Sequence, residues 1–436
     1  MMTRSDFFVS GHFCIQTPFK PGAGTRIMLS QSTNPYMDPT VLKRMTPLTG
    51  ASETGVADRA VGHGSSRAAT NHRWQKQPSL WEVLALWLLT CLIFVAGTAR
   101  LCNYLALVEN SGDDSAYMAV ASAIRHWNFQ GLFVKQFWGL PYAMATLSLA
   151  TGASDRTALL VICFASSFAS VVIAYRLWGG WVAGFFAVLN FDWMQRSYLG
   201  GSEPLFVALL FGSFLAVRKE RWWLAALLAS LATVVRPLGV FALIGIGLVL
   251  LWRRDYRRLV PAVAIGAVIG TLYAIPMAKQ FHDPLATTHS YFNPNWAGGW
   301  LFGFPFYAII KGTLTEASPW SNLVLTFGWI FLVLIAVVVM IRSQDFRKYA
   351  REHPVEILFL IPYIWCLYTY NYPHWARGNF PRFSIPILPF VLIALDRWIP
   401  KDRRFLWALG TVTSMLAAAS GIGISNIPGL IRQAIR

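Results

Sequence analysis

Two adjacent carboxylates, Asp113 and Asp114, open the segment DSAYMAVASAIRHW, shortly after the first long apolar run of the chain. A helix through this segment stacks a carboxylate above Tyr117, Ala121 and Arg125 on one face. Neighbouring like charges raise each other's pKa, and a carboxylate tuned in this way can act as a general base toward a hydroxyl. The plainer interpretation is a helix N-terminus, where the helix dipole and capping favour acids.

Arg236 in TVVRPLGVF is a second candidate, because apolar residues flank it on both sides. A charged side chain at membrane depth costs about 2.5–3.5 kcal/mol, so Arg236 needs a partner. Pro237 is expected to break the helix at this point and to free backbone groups that prefer a polar cavity. The alternative is a side chain that extends to the outer interface.

A third group of candidates, His374, Arg377 and Arg382, lies in NYPHWARGNFPRFSIPILP. A basic cluster outside a membrane span opposes the usual charge bias, and an anionic lipid headgroup is the simplest reason for it. The planar guanidinium fork suits a phosphate. A rim that only touches lipid phosphates remains an equal alternative.

Two segments carry weaker signals. Glu203 in GGSEPLF opens an apolar run, where Ser202 as N-cap and Pro204 in the first turn favour a helix start over a binding role. Residues 279–300 mix His289 with aromatic and polar side chains, which is typical of an interfacial loop with some sugar contact. The His and Asp spacing there fits no compact metal-ligand set, and no nucleotide-binding or hydrolase motif predicts a soluble cofactor.

The composition predicts the kind of secondary structure that must position these residues. Hydrophobic residues make up 55% of the chain and charged residues 13%, with a mean hydropathy of +0.47. Apolar runs of helical length continue to the end of the chain and predict an all-α polytopic membrane protein. The net charge of +17 comes largely from short connectors between those runs, so it indicates membrane orientation and no nucleic-acid partner.

The organisation along the chain is a disordered cytoplasmic N-terminal tail, residues 1–78, followed by a multi-pass domain, residues 79–436. About 11–12 transmembrane helices are predicted in this domain. Ser79 is the expected N-cap of the first. The candidate helices are 80–98, 136–151, 157–175, 179–192, 204–217, 222–235, 237–252, 258–277, 321–341, 355–371, 384–399 and 404–420.

Basic connectors at 218–221, 253–258, 342–351 and 401–404 are expected on the cytoplasmic side. The long connectors 99–135 and 278–320 then become external loops. If every candidate helix crossed, the connector at 218–221 would lie on the wrong side. The chain from 157 to 204 is therefore predicted to contain a segment that does not cross, or a re-entrant pair.

The order of short motifs GDDSAY, GGSEPLF, RPLG and PRFSIPILP along residues 80–400 resembles that of the GT-C glycosyltransferases, multi-pass enzymes that use polyprenyl-phosphate sugars. The chain is similar to bacterial protein mannosyltransferases and the GPI mannosyltransferase group. The resemblance implies a bacterial inner-membrane location and an inverting sugar transfer on the non-cytoplasmic face. It also implies a catalytic acid in the first external loop, here Asp113 or Asp114.

Within this resemblance, Arg382, Arg236 and Arg377 are expected to bind the donor phosphate, and Tyr117, Glu203, His374 and His289 to contact substrate. The acids are adjacent, whereas the family pattern spaces them as Asp-x-Asp, so no metal is predicted. Membrane lipids are further expected partners, and the acceptor is open. A transporter or flippase of lipid-linked glycans is the alternative, although its symmetric broken helices are not evident.

Overall fold

The computed structural model of the chain describes residues 77–101, 103–109, 113–129, 136–290, 301–315, 320–371 and 379–422. Nearly all of the predicted N-terminal tail therefore lies outside the described residues. The described part is mostly helical and contains no β-strand; Phe302 and Tyr370 form an isolated antiparallel bridge. The all-α class predicted from the apolar runs is confirmed.

The first half of the described chain forms helices α1 to α9. Their bounds are Leu80–Leu101 (α1), Tyr104–Glu109 (α2), Asp113–His126 (α3), Gly139–Thr151 (α4), Asp155–Trp178 (α5), Gly180–Val188 (α6), Phe191–Tyr198 (α7), Glu203–Arg218 (α8) and Trp222–Val235 (α9).

The second half forms helices α10 to α19, with 3₁₀ turns at Pro237–Gly239 and Ile385–Ile387. Their bounds are Val240–Trp252 (α10), Tyr256–Phe281 (α11), Ala286–Ser290 (α12), Tyr307–Thr315 (α13), Trp320–Arg342 (α14), Gln344–Glu352 (α15), Pro354–Thr369 (α16), Phe380–Phe383 (α17), Leu388–Ala394 (α18) and Arg403–Ile422 (α19).

Helix α8 lies at the centre of the packing. It contacts α5 and α9, while α1 packs on α19, and α10 packs on α16. Phe206, Phe211 and Phe214 project from α8 and are fully buried, so aromatic side chains fill the spaces between these helices. A buried α8 gives the polar groups at its two ends fixed positions.

Three described helices are long and apolar enough to cross a membrane: Leu80–Leu101, Asp155–Trp178 and Tyr256–Phe281. Two bent pairs raise the number to as many as five if each is one span: Phe191–Tyr198 with Glu203–Arg218, bent by 105°, and Thr326–Arg342 with Gln344–Glu352, bent by 83°.

The surface of α11 carries a strong apolar signal. Only 6% of its apolar window is buried, and Val260, Val263 and Leu272 are exposed. An apolar face of this length is unfavourable in water and is consistent with a membrane protein. The predicted number of 11–12 spans stays a prediction, because other apolar helices are shorter: Trp222–Val235, Pro237–Trp252, Pro354–Thr369 and Ile385–Ala394.

Several predicted boundaries were wrong for identifiable reasons. The connector 99–135 contains α2 besides the helix α3 that was considered after Asp113, and the connector 278–320 contains α12 and α13. The predicted helix 179–192 divides after Val188, because the Asn190 side chain accepts a hydrogen bond from the Trp193 N–H and begins α7. The predicted helix 384–399 is interrupted near Pro386 and Pro389, which cannot donate backbone hydrogen bonds.

Other local predictions are confirmed. The segment after Asp113 is helical, Arg236 is extended between α9 and a 3₁₀ turn, and Ser79 caps α1 by accepting from the Glu82 N–H at 3.2 Å. Helix α6 has nine residues, about 13 Å at 1.5 Å per residue, which is too short for a bilayer of about 30 Å. The expectation of a non-crossing segment or a re-entrant pair between 157 and 204 stays a prediction.

Candidate functional site

Four chain segments converge on one cluster of charges: the N-terminus of α3, the N-terminus of α8, the break after α9, and α17. Two glycines shape the entry to α8. Gly200 and Gly201 have φ values of 132° and 153°, which side chains rarely allow. A Cβ atom on Gly201 would lie 2.7 Å from Glu203 Oε2 and 2.8 Å from Arg196 Cδ. Glycine is therefore required for these side chains to pack against the backbone.

Glu203 forms the centre of the cluster. Its Oε1 atom accepts hydrogen bonds from Arg236 Nη2 and from Arg382 Nε. The Glu203 side chain is 1% exposed, and the two arginine side chains are 17% and 7% exposed. Arg236 therefore has the partner that its depth requires, and Glu203 is more than a helix start. The Arg236 guanidinium also lies 5.9 Å from the Phe383 ring centroid.

Asp113 extends the cluster toward the surface. Arg382 Nη1 donates to Asp113 Oδ2 at 2.8 Å, and the Asp113 side chain is 31% exposed. Burial alone would raise the pKa of Asp113, but Arg382, Arg196 and Arg236 lower it to about 2. The expectation that the neighbouring Asp114 would raise this pKa was therefore wrong, since three cations from distant parts of the chain outweigh one adjacent anion.

Tyr117 and Ser202 link α3 to α8. The Tyr117 hydroxyl donates to Ser202 Oγ at 3.1 Å, and Arg236 Nε donates to the same oxygen at 3.0 Å. Ser202 is the N-cap residue of α8, as predicted, but its side chain makes no cap hydrogen bond, because its hydroxyl accepts from the cluster instead. Burial, together with the nearby Asp113 carboxylate, raises the pKa of Tyr117, which keeps its hydroxyl protonated.

A cavity of about 230 Å³ opens beside the cluster. Asp113, Tyr117, Arg236 and Arg382 line its polar part. Its other lining residues are mainly apolar and aromatic, among them Phe206, Leu238, Phe302, Tyr363, Leu367, Tyr370 and Phe383. One compartment thus joins cationic and anionic groups to an apolar wall, an arrangement suited to a ligand with a charged head and an apolar tail.

Asp114 has a different position from Asp113. It is fully buried and does not line the cavity. A Cβ atom on Gly200 would lie 3.0 Å from Asp114 Cγ, so this carboxylate packs closely against the entry to α8. Of the two candidate acids, Asp113 has the position from which a side chain can reach a ligand.

The remaining predicted site residues lie elsewhere. His289 Nδ1 contacts Asp283 Oδ2 at 2.7 Å, and its side chain is 58% exposed and outside the cavity lining, so the structure does not place it at the site. Arg125 pairs with Asp155 at 2.7 Å and does not contact the acids of its own helix. His374 and Arg377 lie outside the described residues.

The sequence interpretation missed α7. Arg196 on this helix contributes to the low pKa of Asp113, and Asn190 at its start donates from Nδ2 to the Pro381 carbonyl at 2.9 Å. Asn190 is fully buried and thereby ties α7 to the residue that precedes Arg382. The polar residues of NFDWMQRSY after an apolar run were the available signal for a short capped helix.

Within the described ranges, no group of three His, Cys, Asp or Glu side chains could hold a metal ion. The site offers an ionised carboxylate, buried cations and a protonated phenol. Such groups can bind an anion and can accept a proton from a ligand held beside it. Comparisons with protein-family models, curated proteins and solved structures give no match to the chain. The site's own chemistry must therefore carry any functional conclusion.

Proposed function

We propose that this protein is an integral membrane glycosyltransferase that transfers a sugar from a polyprenyl-phosphate donor to an acceptor hydroxyl on the non-cytoplasmic face. The observation that carries this proposal is the position of Arg382, which links Asp113 to Glu203 at a cavity with an apolar wall. The GT-C-like order of motifs adds support, because Arg236, Arg382 and one of its two candidate acids, Asp113, are neighbours in space.

The donor fits the cavity by its two chemical parts. Its phosphate binds Arg382 and Arg236, and the first isoprene units lie along Phe302, Leu367 and the neighbouring apolar wall. Each guanidinium carries five N–H donors, and the two hydrogen bonds that each arginine makes in the described part of the chain leave others for an anion. These cations stabilise the charge that develops on the departing phosphate.

Asp113 acts as the general base. It accepts the proton of the acceptor hydroxyl while that oxygen forms a bond to the anomeric carbon of the sugar. The bond between the anomeric carbon and the phosphate oxygen breaks, and polyprenyl phosphate leaves with the electron pair, so the configuration inverts. A donor phosphate competes with Asp113 for Arg382, and losing that cation raises the basicity of Asp113 when the donor is bound.

Separate replacement of Asp113 and Asp114 by Asn tests the role of the base. With radiolabelled polyprenyl-phosphate mannose in membranes, Asp113→Asn is expected to lose about 10²–10⁴-fold of the rate, since general-base catalysis contributes this much. Asp114→Asn is the matched control, and a smaller loss is expected because Asp114 does not line the cavity. Full activity of Asp113→Asn would exclude the proposed role.

One further measurement separates the proposal from a flippase, and a second tests donor binding directly. Release of polyprenyl phosphate from the donor is expected only for an enzyme, whereas a flippase moves the intact donor between leaflets. Binding of polyprenyl phosphate alone provides a measurement that does not depend on the sugar. Arg382→Lys is expected to weaken this binding, because lysine lacks the planar fork.

A further inference from the structure

A second concave surface lies away from the charge cluster. It is a groove of about 480 Å³ between the C-terminal end of α10 and the junction of α15 with α16. Its lining is almost wholly apolar and consists of Leu248, Leu251, Trp252, Ala350, Pro354, Ile357 and Leu358. Trp252 is 84% exposed, so the groove has an aromatic edge of the kind found at membrane interfaces. We refer to it as the α10/α15 groove.

Helix α15 gives this groove an orientation. Its sequence QDFRKYARE buries Phe346 and exposes Arg347, Lys348 and Arg351, so one face is apolar and the other basic. It is bent by 83° from Thr326–Arg342, a direction that suits a helix lying along the interface when the longer helix crosses. With α14 as a membrane span, this geometry would put the α10/α15 groove at the level where lipid headgroups and acyl chains meet.

Two exposed arginines are close in the chain to residues that line the groove. Arg254 follows Trp252 after one residue, and Arg351 directly follows Ala350. Both arginines are exposed, and no ion pair joins either to an acid among the residues that the structure describes.

Two acids of the adjoining segments already have basic partners. Asp255 pairs with Arg258 at 3.4 Å, and Asp345 pairs with Arg397 at 2.9 Å. Glu352 is the remaining acid beside these arginines in the chain and is exposed. The balance of charge beside the groove therefore favours an anionic ligand.

We propose that the α10/α15 groove binds one anionic phospholipid, with an acyl chain along Leu248, Trp252 and Ile357 and the phosphate at Arg254 and Arg351. An apolar groove with exposed arginines next to it in the chain matches the two parts of such a lipid, and each basic residue near a headgroup adds to the attraction. This site is separate from the proposed transfer site, and its existence does not depend on the glycosyltransferase function.

The test is a titration of the full-length protein in detergent with phosphatidylglycerol and with phosphatidylcholine, followed by native mass spectrometry. The wild-type protein is expected to retain one phosphatidylglycerol more tightly than phosphatidylcholine. Arg254→Glu and Arg351→Glu are each expected to weaken phosphatidylglycerol binding by at least about fivefold. The matched control is Arg404→Glu, an exposed charge reversal on α19, which is expected to leave this binding unchanged.

A second pair of variants tests the apolar part. Ala350→Trp fills the groove and is expected to remove the tightly held lipid, whereas Val338→Trp, on the exposed face of α14, is expected to retain it. Equal binding of the two lipids by the wild-type protein would overturn the proposal, as would charge reversals that behave like Arg404→Glu. If Ala350→Trp alters the oligomeric mass and leaves the lipid count unchanged, the groove is a contact between copies and the proposal is also wrong.

Discussion

Helix α8 carries an ion-paired group at each end, the buried Glu203 at its N-terminus and the partly buried Arg218 at its C-terminus. Fifteen residue steps separate them, about 22 Å along the helix axis. An acid at the first turn and a base at the last both agree with the helix dipole. Local helix physics thus explains the sign of each charge, and the differences between the two ends arise from the partners that the fold supplies.

At the Arg218 end, the hydrogen-bond donors of the arginine have acceptors within the protein. Arg218 Nε donates to Glu356 Oε1 at 2.7 Å, and Nη2 donates to Oε2 at 3.0 Å. Its Nη1 donates to the Leu177 carbonyl at 2.6 Å, and Trp178 Nε1 donates to the Tyr349 hydroxyl at 2.7 Å. Protein acceptors thus surround the guanidinium. This end holds α5, α8 and α16 together.

The Glu203 end is open by comparison. One carboxylate oxygen of Glu203 serves both Arg236 and Arg382, and Arg382 also contacts Asp113. Three of these four residues line the cavity. Because Arg236 and Arg382 share one acceptor oxygen, some of their N–H donors have no acceptor among the described residues. The bidentate Arg218–Glu356 pair instead uses the Arg218 donors within the protein. We infer that the number of arginine N–H donors left without a protein acceptor, more than the burial of the charges, distinguishes a cluster that can bind a ligand from a structural one.

The strongest test of this comparison makes the same substitution at both ends. Arg382→Lys is expected to lower sugar transfer by about 10²–10³-fold, the loss seen when one donor to a developing charge is removed. Arg218→Lys is expected to lower stability instead, by about 1.5–3 kcal/mol for each lost hydrogen bond to a charged group. Activity on the polyprenyl-phosphate donor and thermal unfolding in detergent measure the two effects.

Each variant serves as the control for the other, because both keep a positive charge at an ion-paired position that is at least partly buried. The comparison fails if the two substitutions lower activity and stability in the same proportion. It also fails if Arg218→Lys inactivates a protein that unfolds at the wild-type temperature.

The local parts of this site were predictable from the sequence. The spacing of Asp113 and Tyr117 predicts their shared helix face, and Pro237 predicts the break that turns Arg236 out of α9. These features depend on neighbours within a few residues. The same is true of the apolar runs that predict helices, although their boundaries were wrong where Asn190 or a proline intervenes.

The non-local parts were not predictable in this way. Arg382 reaches Asp113 across 269 residues of sequence, and no spacing rule supplies that contact. The pKa of Asp113 shows the consequence most clearly. From the sequence, its neighbour Asp114 is the nearest charge and would raise the pKa, but in the fold Arg382, Arg196 and Arg236 lower it. Tertiary contacts therefore reversed a conclusion drawn from adjacent residues.

A second prediction concerns how the open end is held in place. Asn190→Ala removes the hydrogen bond to the Pro381 carbonyl and is expected to let Arg382 shift. A lost hydrogen bond of about 1 kcal/mol corresponds to roughly a fivefold change, expected in the KM for the polyprenyl-phosphate donor. Ser154→Ala at the start of α5 is the matched control, since it also removes an N-cap but has no contact with α17. If the two variants change KM equally, Asn190 only caps α7 and does not position Arg382.

A third prediction concerns a dependence of stability on pH that belongs to the open end. The folded pKa of Asp113, about 2, lies below its ordinary value of 3.8, because Arg382, Arg196 and Arg236 outweigh the effect of burial. A depressed pKa stabilises the folded state above the ordinary value, and this contribution is lost as the pH falls from about 4 to about 2. Thermal unfolding of the wild-type protein and of Asp113→Asn is expected to show a stability difference that shrinks across this range.

The pKa of Asp113 should also appear in the pH dependence of the reaction rate. The acid limb of kcat/KM reports the protein without donor, and the acid limb of kcat reports the donor complex. If the donor phosphate replaces Asp113 as the partner of Arg382, the pKa of Asp113 is higher in the donor complex. The acid limb of kcat must then lie at higher pH than the acid limb of kcat/KM. Acid limbs at the same pH would mean that the Arg382–Asp113 salt bridge persists when the donor is bound. The open end would then act as a fixed salt bridge, like the Arg218–Glu356 pair at the other end of α8.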